Sequence, residues 1–340
     1  MKVFNVIIAG GRGTRFWPLT KRTPKQFLKI FKGKSLLSMT VERFLPMDPS
    51  LENTFIVTSR DMVGNVKEDI PWFPEKNIIV EPFGRNTAPA ICLSAFFIKE
   101  RFGSGIMGVF PSDHFIEGER FRELYNVSIE IAAEYDLLGT FGIKPRYPET
   151  GYGYIEKGEE IRKGVYRVKE FHEKPGIERA TFYVNSGRFY WNSGMFVWKV
   201  DVILEEMKNL APSIYTPFEG LKGDFSVEAL ENIYKDIPSI SVDYAVMEKT
   251  KRVFVVEADF YWSDVGSWRS YYELMEKDKK NNVVDGNVKI IDSEGCLIKG
   301  YGGKMVAVIG LRDIAIVDTE DALLVVSLDR SQDVKKVVEG

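Results

Sequence analysis

The chain has 340 residues, 44% hydrophobic and 28% charged, enough to bury a large core in one domain with a smaller companion or in two of similar size. A net charge of −3 gives no general attraction for a nucleic-acid backbone or an anionic membrane, so any affinity for phosphate must come from local cations. Two cysteines far apart rule out a disulfide framework. No apolar run is long enough to span a bilayer, and a strand starting almost at Met1 leaves no secretory leader, so a cytoplasmic protein is expected.

The first predicted element is a buried strand over Phe4–Ala9 that runs straight into Gly10-Gly11-Arg12-Gly13. Arg15 and Lys25 follow as fixed cations. Glycine lets backbone N–H groups close on phosphate oxygens and the cations neutralise them, so this opening asks for a polyphosphate. It is neither of two familiar phosphate loops. Phe16 stands where a dinucleotide fingerprint needs glycine, and Lys25 follows Pro24 instead of opening a helix after the glycines.

Further strands are expected at Thr54–Thr58, Asn77–Glu81 and Gly105–Phe110, with helices over Ser35–Phe44 and Thr87–Arg101, the second capped by Asn86. Such alternation predicts an α/β fold with a doubly wound, mostly parallel sheet, whose ligands sit at the carboxyl ends of the strands. The stretch from Leu137 to Trp198 is richer in aromatic and β patterns, and a helical zone runs from Val200 to about Thr250. After a charged junction near Lys280, short strands at Val288–Ile291, Met305–Ile309, Ile314–Val317 and Leu323–Ser327 look like rungs of a β-helix. The expected domains are 1–280 and 281–340. The second is too small to hold its own core comfortably, so it should pack on the first or on a partner copy.

Two acids fall just after strand-like runs, Asp113 behind Pro111-Ser112 and Asp264 in Trp262-Ser-Asp-Val-Gly-Ser-Trp268. A pair of this kind suits Mg²⁺, which takes one or two carboxylates and fills its shell with phosphate oxygens and water, although either acid alone could cap a turn. Lys174, with Glu173 beside it before Pro175, offers a cation that could meet a second phosphate next to a carboxylate acceptor. The same residues could also be a surface ion pair. Arg85, behind Glu81-Pro-Phe-Gly84, could read a nucleotide next to the capping Asn86. His114 and His172 read as packing residues.

Taken together, the glycine loop with Pro18-Leu-Thr20, Glu81-Pro-Phe-Gly-Arg-Asn-Thr-Ala-Pro-Ala90, Phe110-Pro-Ser-Asp-His114, Thr150-Gly-Tyr-Gly-Tyr-Ile155, Phe171-His-Glu-Lys-Pro175, Tyr190-Trp-Asn-Ser-Gly-Met-Phe196, Val242-Asp-Tyr-Ala-Val-Met-Glu-Lys-Thr250 and Trp262–Trp268 resemble the sugar-nucleotide pyrophosphorylases. The branch they resemble transfers a guanylyl group to mannose 1-phosphate, and the similarity runs over nearly the whole chain. The resemblance implies a nucleotide-diphospho-sugar transferase fold, GT-A-like, with a small C-terminal β-helix-like unit. It also implies GTP and mannose 1-phosphate as substrates, Mg²⁺ on Asp113 and Asp264, and a homodimer without nucleic-acid or membrane partners. Arg15, Lys25 and Lys174 take the catalytic roles. The nucleotide falls to Gly10, Gly11, Gly13, Thr14, Arg85, Asn86, Pro111 and Ser112, and the sugar to Gly153, Glu173 and Asn192. Arg12 stands where relatives often carry a small residue. With two histidines in all, a histidine-rich isomerase domain of the kind many relatives carry is not expected. Another nucleotide or sugar, a silent sugar-nucleotide sensor and a nicotinamide dehydrogenase are the alternatives. The sensor is disfavoured by retention of all the charged residues, the dehydrogenase by Phe16.

Overall fold

The computed structural model describes residues 1–11, 13–221 and 223–339. Its strands and helices form two compact units. The first comprises Met1–Gly10, Thr40–Ser112 and Ile116–Trp262; the second comprises Gly11–Met39, Asp113–Phe115 and the chain from Ser263 onward.

In the first unit, strands β1 (Val3–Ile8), β2 (Thr54–Ser59), β3 (Ile78–Glu81) and β4 (Ile106–Pro111) come first in the chain. They alternate with α2 (Val63–Asp69) and α3 (Thr87–Phe102), while α1 (Leu36–Glu42) begins in the residues of the second unit and ends in those of the first. After the short β5 (Phe115–Glu117) come α4 (Arg120–Tyr135), β6 (Leu138–Ile143), β7 (Tyr154–Arg162), β8 (Val165–His172), α5 (Ile177–Ser186) and β9 (Phe189–Lys199). Helices α6 (Val200–Leu210), α7 (Pro212–Glu219) and α8 (Val227–Asp236) precede β10 (Val253–Ala258).

Nine strands make one sheet in the order β3-β2-β1-β4-β9-β6-β10-β8-β7. The parallel pairing implied by strand–helix alternation holds for β3-β2-β1-β4 and again for β6 with β10. Strand β9 enters between them antiparallel to both β4 and β6, and β7 and β8 add an antiparallel hairpin. The sheet is therefore mixed: the direct β7–β8 connection needs no crossover helix, and an antiparallel pair is its natural product.

Both faces of the sheet are buried. One carries Phe4, Val6, Val57, Met107 and Val109 against Ile91 and Leu93 of α3 and Ile203 of α6. On the other, Phe110 meets Phe44, Phe121 and Tyr125 at centroid distances of 4.8, 5.8 and 5.2 Å. Near-continuous apolar strands covered on both sides are what a parallel sheet requires.

The second unit holds α9 (Trp268–Leu274), β12 (Val283–Asp285), β13 (Val288–Ile291), β14 (Leu297–Lys299), β15 (Val306–Ile309), β16 (Ile314–Asp318), β17 (Leu323–Ser327) and α10 (Lys335–Glu339), while β11 (Tyr261–Ser263) leads into it. Strands β12, β14 and β16 pair in parallel, as do β13 and β15, which is the stacked-rung pattern of a β-helix. Strands β12 and β14, each only three residues long, carry too little pattern to stand out in the sequence. The stretch 281–340 is not self-sufficient. Its core joins Leu297, Ala315, Val317 and Leu324 to Trp268 and Tyr271 of α9 and to Phe16, Leu28, Phe31 and Leu36 of the N-terminal segment. The shortage of apolar area expected for residues 281–340 is thus met from two stretches earlier in the chain.

Candidate active site

The glycine loop leaves β1 under tight backbone control. The Ala9 N–H donates to the Val57 carbonyl at 2.8 Å, and Thr58 Oγ1 donates to the Ala9 carbonyl at 2.8 Å. Gly13 has φ +68°, and a Cβ there would lie 2.3 Å from Lys25 Cβ, so both conformation and space demand glycine. The next residues close a short 3₁₀ turn, Thr14–Phe16. Phe16 is fully buried 4.8 Å from the ring of Trp268. The residue that breaks the dinucleotide fingerprint is therefore the loop's anchor in the second unit's core.

Within that unit Gly13, Thr14, Arg15, Phe16, Lys25, Asp113, His114, Asp264 and Gly266 line one cavity of about 260 Å³. Lys25 is buried, and its ammonium makes three contacts: Asp113 Oδ2 at 2.8 Å, the Asp264 carbonyl at 2.6 Å and the Val265 carbonyl at 3.1 Å. An ammonium has three N–H donors, so all three are used. Burial pushes the Asp113 carboxyl up, but the charge of Lys25, helped by His114 with Nε2 3.9 Å away, outweighs it and holds the group below the usual carboxylate value. Asp264 Oδ1 accepts from the Gly266 N–H at 2.9 Å, and Arg15 Nη1 reaches the Gly266 carbonyl at 3.4 Å. Val265, between them, sits at φ +47°, an outlier for a β-branched residue. Strain of this kind persists where the surroundings over-determine it, and it clusters at functional sites.

A second group of predicted residues comes together in the first unit. Gly153, Glu173, Lys174 and Asn192 are neighbours at the end of the β7–β8 hairpin. The Asn192 N–H donates to the Gly153 carbonyl at 2.8 Å, and a Cβ on Gly153 would fall 2.5 Å from Glu173 Oε2. Lys174 Nζ lies 2.7 Å from Glu173 Oε1, with backbone φ +47°. Burial lowers the Lys174 ammonium, but Glu173 more than compensates and keeps it above its ordinary value. Asp243, which carried no assigned role in the sequence, completes the group: its Oδ1 accepts from Asn192 Nδ2 at 2.8 Å. Burial, then the charge of Glu173, raises the Asp243 carboxyl to about 6.

The turn after β3 carries the expected cap and further bonds within the protein. Asn86 does cap α3, its Oδ1 accepting from the Thr87 N–H at 2.8 Å with φ +69°. The Arg85 guanidinium donates to the Tyr234 and Lys235 carbonyls at 2.9 and 3.0 Å and lies over the Phe83 ring. Its fork therefore ties this turn to the end of α8, where the last helical carbonyls lack intrahelical donors. Glu81, at the end of β3, is 2% exposed and accepts from Tyr234 Oη at 3.0 Å. Burial raises its carboxyl to about 7 despite that hydrogen bond, and a Cβ on Gly10 would come 3.9 Å from its Oε2. Only a carboxylate at a strand's end marked Glu81 in the sequence. Pro111 ends β4, and the Ser112 N–H donates to the Ile8 carbonyl at 3.0 Å, so both belong to the same strand-end region as Gly10. Gly11 is exposed, and Arg12 lies outside the described residues.

The donor set at the cavity fits Mg²⁺. Asp113 and Asp264 are hard oxygen donors, and among the described residues no group of three or more His, Cys, Asp or Glu converges as a zinc or protein-caged calcium site would need.

Comparison with known proteins identifies the family. The nucleotidyl transferase family matches residues 4–281, and the MannoseP isomerase/GMP-like beta-helix domain family matches residues 286–340. The chain is 40% identical to the mannose-1-phosphate guanylyltransferase of Klebsiella pneumoniae over 98% of its own length and 73% of the relative's. It is likewise 40% identical to the alginate biosynthesis protein AlgA of Pseudomonas aeruginosa, over 98% and 71%. A crystal structure described as mannose-1-phosphate geranyltransferase from Thermus thermophilus superposes with a TM-score of 0.91 at 35% identity, covering 100% of this chain and 99% of that one.

Proposed function

The chain belongs to the nucleotidyl transferase family, among the mannose-1-phosphate guanylyltransferases, and from that premise we propose that it joins GTP and α-D-mannose 1-phosphate into GDP-mannose, releasing pyrophosphate. A phosphate oxygen of mannose 1-phosphate forms a bond to the α-phosphorus of GTP. The bond from that phosphorus to the bridging oxygen breaks, and its electron pair leaves with pyrophosphate. The nucleophile is already an anion, so the protein's work is positioning and charge neutralisation.

The observation that carries this reading is the convergence of Arg15, Lys25, Asp113 and Asp264 on one cavity beside Gly13. Arg15 and Lys25 neutralise the departing pyrophosphate. Asp113 and Asp264 would hold Mg²⁺, which supplies charge neutralisation across phosphate oxygens when bound. Lys25 must exchange its contact with Asp113 for phosphate oxygens, so it serves as the counter-charge of that carboxylate until substrate arrives. In the first unit Lys174 steadies the attacking phosphate, and Glu173 and Asn192 offer the acceptors and donors that sugar hydroxyls require. Asn86 and Arg85 hold the β3–α3 turn in shape. A carboxyl at Glu81, beside Gly10, offers acceptor oxygens to a base edge with two N–H donors, which guanine presents, and this supports GTP over the other nucleotides.

Among the described residues no helix is long and apolar enough to cross a membrane. With Cys92 and Cys296 both buried and unpaired, the reading places the enzyme in the reducing, nucleotide-rich cytoplasm. It also takes the enzyme as a homodimer through the β-helix-like unit, where Ile309, Met305, Leu323 and Val325 are each more than half exposed. A monomeric mass by light scattering would remove the dimer.

The test of the reaction is pyrophosphate release from four nucleoside triphosphates against mannose, glucose and N-acetylglucosamine 1-phosphates. GTP with mannose 1-phosphate should lead, and a clear lead by any other pair overturns the substrate assignment.

A further inference from the structure

Residues Asp243–Met247 form a π-helical turn. Its ladder bond runs from the Glu248 N–H to the Asp243 carbonyl at 2.9 Å. Residues five apart diverge on an α-helix, but an i→i+5 ladder brings them toward one face, and such turns recur at functional sites. Here both carboxylates of the pair hold parts of the second cluster. Asp243 accepts from the side chain of Asn192, and Glu248 Oε1 accepts from the Glu173 backbone N–H at 2.9 Å.

The Asn192 amide is held at both ends. Its oxygen accepts from the Gly194 N–H at 3.1 Å and lies 3.1 Å from Thr140 Oγ1, while one of its two N–H groups is given to Asp243. That leaves a single N–H whose direction is set by the protein. We propose that Asp243 is a positioning residue of the sugar subsite: through Asn192 it aims the one free amide N–H at a sugar hydroxyl, and so tells hexose 1-phosphates apart without taking part in phosphoryl transfer. This rests on the reading of Asn192 as a sugar contact.

The electrostatics agree. Burial first and then the charge of Glu173 disfavour an ionised carboxyl at Asp243, and Lys174 only partly offsets them. A neutral amide would satisfy a purely structural hydrogen bond with less repulsion, but an acid is the stronger acceptor and the stiffer hold on Asn192.

The experiment compares the wild type with D243L and D243N, measuring kcat and KM for mannose 1-phosphate and glucose 1-phosphate, and KM for GTP. D243L should raise KM for mannose 1-phosphate about tenfold, the size of one lost hydrogen bond to a charged group. It should erode discrimination against glucose 1-phosphate in proportion and leave KM for GTP unchanged. D243N, which can still accept from Asn192, should restore most of both. Unchanged sugar kinetics in D243L, an equal rise in KM for GTP, or a D243N as impaired as D243L would overturn the proposal. If D243L does not fold by circular dichroism, D243S, whose hydroxyl falls short of Asn192, takes its place with the same expectations. If the wild type prefers another sugar phosphate, the substrate assignment fails while the same comparison on that sugar still judges Asp243. If it turns over none, calorimetric binding of mannose 1-phosphate to the three proteins judges it instead.

Discussion

The two clusters of polar residues solve opposite problems. In the second unit Lys25 commits all three N–H donors to Asp113 and two carbonyls, so charge is balanced and nothing points at a particular atom. In the first unit Asn192 keeps one N–H in reserve, and its neighbours aim it. Phosphate is recognised by charge, which is long-ranged and tolerant of direction, whereas a hydroxyl is recognised by a donor and an acceptor in the right places. The contrast predicts that damage to the first kind of site abolishes turnover and damage to the second alters choice of substrate.

The largest effect is expected at the charged cavity. K25A or D113A should lower kcat by about 10²-fold or more, the scale for losing one preorganised charge contact, with the circular dichroism spectrum unchanged. Near-normal turnover in both would break the comparison. Chelation by EDTA should abolish turnover, and Mg²⁺ should restore it; persistence of activity in EDTA would remove the metal from the reading.

G13A comes next. A methyl there meets Lys25 Cβ on a left-handed backbone, so turnover should fall by about tenfold or more, and unfolding should cost about 1–2 kcal/mol for the backbone and about 1–3 kcal/mol more for the overlap. Equal loss of stability and activity would make Gly13 merely structural.

W268A tests whether the loop and the β-helix-like unit share one core. Removing that buried ring, packed near Phe16, should cost about 3–5 kcal/mol by urea denaturation and weaken GTP binding as well. Loss of stability with unaltered GTP affinity would separate the core from the loop.

The last effect is a pH dependence, confined to one end of the pH range. Glu81 has its folded-state carboxyl raised from 4.5 to about 7 by burial. Stability from this group is complete below the unfolded value near 4.5 and is lost as the pH rises through about 7, so the ionised acid costs at most on the order of 3 kcal/mol above that. E81Q, which mimics the protonated form, should therefore gain stability over the wild type at about pH 8 and little at about pH 5. A gap that is the same at both pH values would refute a protonation change at Glu81.

Much of the fold was legible because its signals are local. The apolar runs at β1, β2, β3 and β4 and the Asn86 cap depend on neighbours within a few residues. The charged residues of the cavity were legible one by one for the same reason: a lysine after a glycine loop and an acid after a strand are recognisable without knowing what they face. Phe16 was read correctly as a break in a fingerprint, but its partner Trp268 lies near the far end of the chain and no local pattern joins them. The bonds from Arg85 to the end of α8 were not legible, because a guanidinium in a turn carries no sign in the sequence of a distant helix. Asp243 was passed over for a related reason, since its role depends on a π-turn and on Asn192, which belongs to another element.

By itself, the sequence of this protein determined its strand-and-helix order, the glycine loop with Arg15 and Lys25, and the residue types that phosphate and sugar each require. Only the tertiary structure decided which of those residues meet, because convergence is set by sheet order and core packing between segments far apart in the chain. It placed Lys25 on Asp113, seated the loop on Trp268, and gave Asn192 its one directed N–H. Chemistry is written in residue identity; aim and pairing arise when the chain folds.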